Sequence, residues 1–254
     1  LSSFCDLRDD SYDLIFIGSS RANHHYDTPF INDSIGISSF NAGEDGRGLT
    51  YQYPVLKEYL KKNNPKLVVL ELASALDGNW NDHISILYPL SNKYNSIIET
   101  AAKIDPYNRY YLMSNLYRYN SNLIGEFKSI FRPFKASKTF GFSPISINEA
   151  SAGFDQERIL SFNSPIDSVE YNILIDLIKM CQKKHVNLVG IMSPIVLKKM
   201  ERPNVIDSIF KTNGVPLIDN TYFRLDHEPK DYFKDAVHLN EFGAREYTKY
   251  VMHQ

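Results

Sequence analysis

Cysteine is nearly absent from this chain: two residues in 254, Cys5 and Cys181, far apart and in no paired pattern. That excludes a disulfide framework, and both are expected to be free thiols. Long apolar runs are missing too, since no segment reaches the roughly 18 apolar residues needed to span a bilayer. Neither sign of charge dominates. With a formal net charge of -2 and no Lys/Arg block, there is little field to attract a phosphate backbone, so nucleic acid is not an expected partner. Neither a Gly-x-Gly-x-x-Gly run nor a P-loop lysine motif occurs, which leaves a nucleotide-binding domain without sequence support.

What is present is an ordinary globular composition, 43% hydrophobic and 23% charged, enough to build a core without disulfides or metal. Aromatic residues are plentiful, 17 Tyr and 15 Phe against one Trp. Such rings suit sugar or lipid faces, but core and surface packing is their commoner use. The first residue is Leu, not Met. The expectation drawn from it is an extracytoplasmic protein (secreted, periplasmic or membrane-anchored) from which a signal peptide or N-terminal anchor has been removed, although a processed or cut cytosolic protein would begin the same way. Contact with a membrane is expected only through such an anchor.

Leu14-Ile-Phe-Ile17 is a short apolar run ending in Gly18-Ser-Ser-Arg21, which predicts a buried strand entering a tight loop. Ser38 to Asn41, followed by Ala42-Gly43, repeats the arrangement. Helical spacing from Tyr51 to Leu60 is stopped by Pro65, and Leu67 to Leu72 is a buried-type strand. After Ser168 to Lys184, a helix by its apolar face, come strands at 187–192 and 215–219. Asn240 is placed to cap a final helix whose Phe242, Tyr247 and Val251 are expected to face the sheet. The stretch at about 77–165 breaks this rhythm with Tyr/Asn/Ser-rich sequence and helical patches at 97–104 and 110–131, and it reads as a helical and irregular insertion. The expected fold is therefore α/β: a single domain over 1–254 with a three-layer, doubly wound, parallel five-stranded sheet. In such sheets ligands bind beyond the carboxyl ends of the strands, where Ser20, Gly43, Ala73 and Ser193 all fall.

A serine hydroxyl becomes a good nucleophile only when a base takes its proton and a third group fixes the tautomer of that base. Ser20, just after a strand, supplies the first part, although Ser-rich strand ends also serve as phosphate loops or plain helix caps. Asp235-Ala-Val-His238 supplies the rest. Three-residue spacing lets one turn lay a carboxylate against one ring nitrogen while the other nitrogen faces the serine. The bland alternative is a solvated pair beside the helix cap. His227 with Asp226 is a weaker rival, because adjacent side chains diverge.

Together these residues resemble the SGNH/GDSL hydrolase superfamily, whose first block is Gly-x-Ser after strand one and whose last is Asp-x-x-His before the final helix. The Gly18-Ser-Ser-Arg21 form is similar to a bacterial subgroup of secreted or membrane-anchored members. The resemblance spans roughly 12–80 and 168–252 and implies a flavodoxin-like sheet. It also implies Ser20 as nucleophile, His238 as general base and acid, Asp235 as orienter, and no cofactor. The family's second block, Asn-x-Gly, matches Asn41-Ala-Gly43, so the resemblance makes Gly43 N–H a partner of Ser20 N–H in an oxyanion hole. The third block departs from the family: Ala73-Ser-Ala-Leu76 has no Asn. The third donor is open between Asn79, Asn81 and Ser74.

Arg21 and Asn41 are candidate substrate-binding residues. Arg21 equally suits a bracing role through a carboxylate such as Glu71 or Asp77. His24 and His25, with Asp27, Asp82 and His83, match no metal-ligand spacing and are expected to be solvated; no metal is expected. The implied activity is that of a serine esterase or acylhydrolase on a small acyl ester, such as an O-acetylated cell-envelope or dietary glycan. An O-acyltransferase would use the same residues. A non-catalytic glycan-binding module on the same fold is the reading from a different class. The expected partner is accordingly an acylated small molecule or carbohydrate.

Overall fold

The computed structural model describes residues 10–72, 80–120, 139–146, 159–160, 167–196, 199–200, 205–223 and 229–253. Its strands are β1 Leu14–Ile17, β2 Ser39–Asn41, β3 Leu67–Glu71, β4 Ile159–Leu160, β5 Asn187–Met192, β6 Lys199–Met200 and β7 Leu217–Asp219. Five of them form one sheet in the order β2-β1-β3-β5-β7, with every neighbouring pair parallel. β4 and β6 make a separate two-residue parallel pair.

The main helices are α1 Ser20–His25, α2 Leu49–Tyr59, α3 Asn95–Ile104, α4 Ser168–Lys183, α5 Val205–Thr212 and α6 Glu241–Val251. Parallel strands joined by helical crossovers bury both faces of the sheet, which explains why β1 is apolar at every position. Alternation then divides the core. Ile15, Ile17, Val68 and Leu70 point to one face, under α2, α4 and α5, with α3 packed on α2. Leu14, Phe16 and Val69 point to the other, under Tyr26, Ile31, Leu239 and the Ala244 and Tyr247 side of α6. Helices thus cover both faces, as the sequence pattern predicts. Cys181, on α4, is a buried free thiol whose pKa is pushed up to about 12 by burial.

Some local expectations need correction. Phe242 does not face the sheet: it is 54% exposed and stacks on Tyr232 at 5.7 Å between centroids. Asn240 caps α6 as expected, its Oδ1 accepting from the N–H groups of Phe242 and Gly243. Gly243 and Ala244 turn inward in its place, together with Tyr247. The patch expected at 110–131 is, in its described part, two short helices, Asn108–Tyr111 and Asn115–Asn120. Ser114 lies between them, its backbone carbonyl accepting the Arg118 N–H as the first bond of the second helix. The crossover helix α5 was not foreseen. Among the described residues no helix is long and apolar enough to cross a membrane.

Candidate active site

β1 ends at Gly18, whose φ of +149° suits glycine. A Cβ there would lie 2.8 Å from both Ala22 Cβ and Glu71 Cβ, so only glycine lets the loop descend onto the end of β3. The chain then turns at once into α1, and Ser20 is the first residue of that helix. Its backbone N–H therefore has no acceptor inside the helix.

The other half of the site is a tight turn closed by the antiparallel bridge between Phe233 and Leu239. Asp235 organises it from within. One carboxylate oxygen, Oδ1, accepts the N–H groups of Val237 and His238, each at 2.9 Å, the side-chain turn that aspartate forms readily. This holds the other oxygen, Oδ2, 2.8 Å from His238 Nδ1. On the far side of the ring, His238 Nε2 lies 2.8 Å from Ser20 Oγ. Because the carboxylate accepts at Nδ1, that nitrogen carries the proton and Nε2 is left to accept from the serine hydroxyl. Partial burial pushes the Asp235 carboxyl upward. The hydrogen bonds from the His238 ring and the two backbone N–H groups outweigh it and hold its pKa at about 2. Ser20, Asp235 and His238 are thus brought together from opposite ends of the chain.

Beneath this triad lies a buried polar layer. Arg21 is 4% exposed and donates from Nε to Ser193 Oγ at 3.1 Å and from Nη2 to the Ser193 carbonyl. Its Nε is also 3.6 Å from Glu71 Oε1, at the end of β3. Glu71 in turn accepts from the Tyr26 hydroxyl at 2.7 Å and the Ser193 N–H at 3.1 Å. Arg21 is therefore directed into the protein as a brace and not outward to a substrate.

Asn41 also needs correction as a substrate-binding residue. It is fully buried, donating to the carbonyls of Ala22 and Tyr26 while its Oδ1 accepts the Gly43 N–H at 3.0 Å. The Gly43 N–H expected in an oxyanion hole is thereby committed inside the protein. Gly43 does lie against α1, where a Cβ would come within 2.5 Å of Asn23 N. Asn79 and Ser74 lie outside the described residues, as do Ala73, Asp77, Asp226 and His227; the backbone of Asn81 is described but its side chain is not.

The two histidines after Ser20 are not solvated. His25 is completely buried, with Nδ1 2.7 Å from Ser193 Oγ and Nε2 accepting the Leu239 N–H at 3.0 Å. Burial, with the charges of Arg21, His238 and His24 added to it, pushes its pKa well below 6.5. His24 is the reverse case. Nδ1 faces the Ser143 carbonyl at 2.6 Å and Nε2 the Asp45 carboxylate at 3.1 Å, so both nitrogens meet acceptors. Burial disfavours the charge, yet Asp45 and the Ser143 carbonyl together raise its pKa above 6.5. Its ring meets that of His238 edge-on at 5.8 Å. Asp27 pairs elsewhere, with Arg245 of α6. Among the described residues no group of three or more His, Cys, Asp or Glu is placed to hold a metal ion.

Residues 139–146, from the stretch read as an insertion, run beside this site. The Asn41 N–H donates to the Phe140 carbonyl, the Ser143 N–H to the Asn23 carbonyl and the Glu241 N–H to the Ile145 carbonyl. The segment thus links β2, α1 and the start of α6. Gly141 makes it fit: its φ is +82°, and a Cβ would sit 1.9 Å from the Asn41 carbonyl oxygen. The burial of His25, its contact with Ser193 and this strap were missed from the sequence. Arg21 and His25, four residues apart and flanking Ala22 on one helix face, were the available signal. In comparisons with known proteins no family model matches the chain, and no curated protein matches it.

Proposed function

We propose that this chain is a serine hydrolase or acyltransferase of the SGNH/GDSL type, with Ser20 as nucleophile. The observation that carries the reading is the continuous relay from Ser20 Oγ to His238 Nε2 and from His238 Nδ1 to Asp235, each step 2.8 Å. In this reading His238 takes the Ser20 proton as Oγ attacks an acyl carbonyl. Asp235 stabilises the imidazolium, and the Ser20 N–H at the start of α1 donates to the oxyanion. The imidazolium then protonates the departing alcohol, leaving an acyl-serine. Water or a second hydroxyl, deprotonated by the same nitrogen, releases the acyl group. No step of this relay requires a cofactor.

The sheet order β2-β1-β3-β5-β7, with Ser20 just past β1, between β2 and β3, supports a flavodoxin-like arrangement of the SGNH kind. The resemblance favours a small acyl ester such as an O-acetylated glycan, met outside the cytoplasm. The commitment of Gly43 N–H to Asn41 favours a second reading, a glycan-binding module that does not turn over. Fluorophosphonate labelling followed by mass spectrometry of the modified peptide separates the two. A covalent adduct on Ser20, lost in Ser20→Ala, is expected; a folded wild type that takes no label favours the binding module.

A further inference from the structure

We infer that His25 is a positioning residue that holds His238 in reach of Ser20 by accepting the backbone N–H of Leu239; the inference rests on the serine-hydrolase reading. Four observations lead to it. First, the Leu239 N–H sets the tautomer of His25, against the Val237 carbonyl, which also approaches the ring. Nε2 accepts the Leu239 N–H at 3.0 Å, so it carries no proton, and the proton of the neutral ring is on Nδ1, donated to Ser193 Oγ at 2.7 Å. Second, this hydrogen bond completes the fixing of one peptide. The His238 N–H is held by Asp235, the His238 carbonyl accepts the Lys234 N–H at 2.9 Å, and the next N–H goes to His25. Third, His25 ends the six-residue helix that Ser20 begins. Nucleophile and anchor therefore move as one short rigid unit, and the Ser20 to His238 distance is set by that helix. Fourth, Ser193 ties the anchor to the brace, because its Oγ also accepts from Arg21 Nε at 3.1 Å.

Two substitutions separate the two nitrogens of His25. In Gln the amide oxygen stands as many bonds from Cα as Nε2, so His25→Gln keeps an acceptor for Leu239. In Asn the amide nitrogen stands where Nδ1 is, so His25→Asn keeps the donor to Ser193 and loses the acceptor. The readouts are hydrogen exchange of the Leu239 amide and the saturation kinetics of fluorophosphonate labelling at Ser20, both on the whole chain. In His25→Asn the Leu239 amide is expected to lose protection. The maximal labelling rate is expected to fall about 100-fold with the half-saturating concentration unchanged, while His25→Gln stays within about threefold of wild type. Equal loss in the two variants, tracking only their folded fraction, overturns the inference, as does unchanged protection of Leu239 in His25→Asn. If His25→Asn does not fold, nitrogen NMR of the wild-type ring decides: an Nε2–H tautomer of His25 overturns it. Failure of the functional reading looks different. There the wild type takes no label on Ser20, while the Leu239 exchange and the His25 tautomer still report on the anchor.

Discussion

Asp235→Asn is the most discriminating perturbation, because the structure separates what the change preserves from what it removes. An asparagine can keep its carbonyl oxygen where Oδ1 sits, accepting the Val237 and His238 N–H groups that now lie at 2.9 Å. Its NH₂ then falls in the place of Oδ2, 2.8 Å from His238 Nδ1. An amide donor at this shorter contact favours an accepting Nδ1 over the 3.1 Å contact to Oδ1, which moves the ring proton to Nε2 and points it at Ser20 Oγ. In that tautomer Nε2 cannot take the serine proton. The corresponding change in a serine protease lowers turnover by about four orders of magnitude. Here the Asp235 side chain is 41% exposed, so water can partly replace its stabilisation of the imidazolium, and a loss of about 100- to 1000-fold is expected. Stability should change little. The carboxyl pKa of about 2, against the usual 3.8, sets an upper bound of about 2.4 kcal/mol on what ionised Asp235 contributes, and with solvent screening about 1 kcal/mol remains. This contribution is complete above pH 3.8 and is lost as pH falls through about 2. Asp235→Ala removes the turn as well and should cost both rate and stability. Labelling rates and urea titrations of both variants make the test. A folded Asp235→Asn protein labelled at the wild-type rate refutes the tautomer argument.

Arg21→Met leaves Glu71 buried without its cation and should destabilise the fold by about 3–5 kcal/mol, whereas Arg21→Met with Glu71→Gln should recover much of the loss; urea midpoints that do not differ between the two would count against the brace. Gly141→Ala forces a Cβ toward the Asn41 carbonyl at positive φ and should cost about 2–4 kcal/mol, read in the same titration. The His24 contact is pH-dependent with the opposite sign to Asp235. Its pKa is raised in the folded state, so its contribution is complete below pH 6.5 and is lost as pH rises through the folded value. The Ser143 amide, corrected for intrinsic exchange, should therefore lose protection at alkaline pH, and earlier in Asp45→Asn; protection independent of pH would exclude a charged His24.

The centre of the parallel sheet was legible because β1 and β3 are buried along nearly their whole length and so read as apolar runs bounded by Gly18 or Pro65, whereas the edge strands β2 and β7, Ser-Phe-Asn and Leu-Ile-Asp, carry polar residues. The triad was legible for a local reason on each side: Gly18 places Ser20 at a helix start, and the three-residue spacing lets Asp235 close a turn onto His238. The polar layer was not, since Arg21, His25, Glu71 and Ser193 come from three separate segments. Each is a type that is usually exposed, and only the packing of α1 against β3 and the end of β5 makes them partners. Phe242 misled for a related reason. The sequence shows that a helix follows Asn240, but the rotation of that helix is decided by the close approach of Gly243 to the Tyr232 carbonyl.

The shortness of α1 has a consequence for how this chain can change over evolutionary time. Within six residues it presents Ser20 to His238, Arg21 and His25 to the interior, and His24 to the strap. An inserted or deleted residue rotates everything beyond it by about 100°. That would carry His25 off Leu239 and His24 off the strap, with no second turn of helix over which to absorb the error. Between Ser20 and His25 the sequence is therefore free to substitute at few places and free to change length at none.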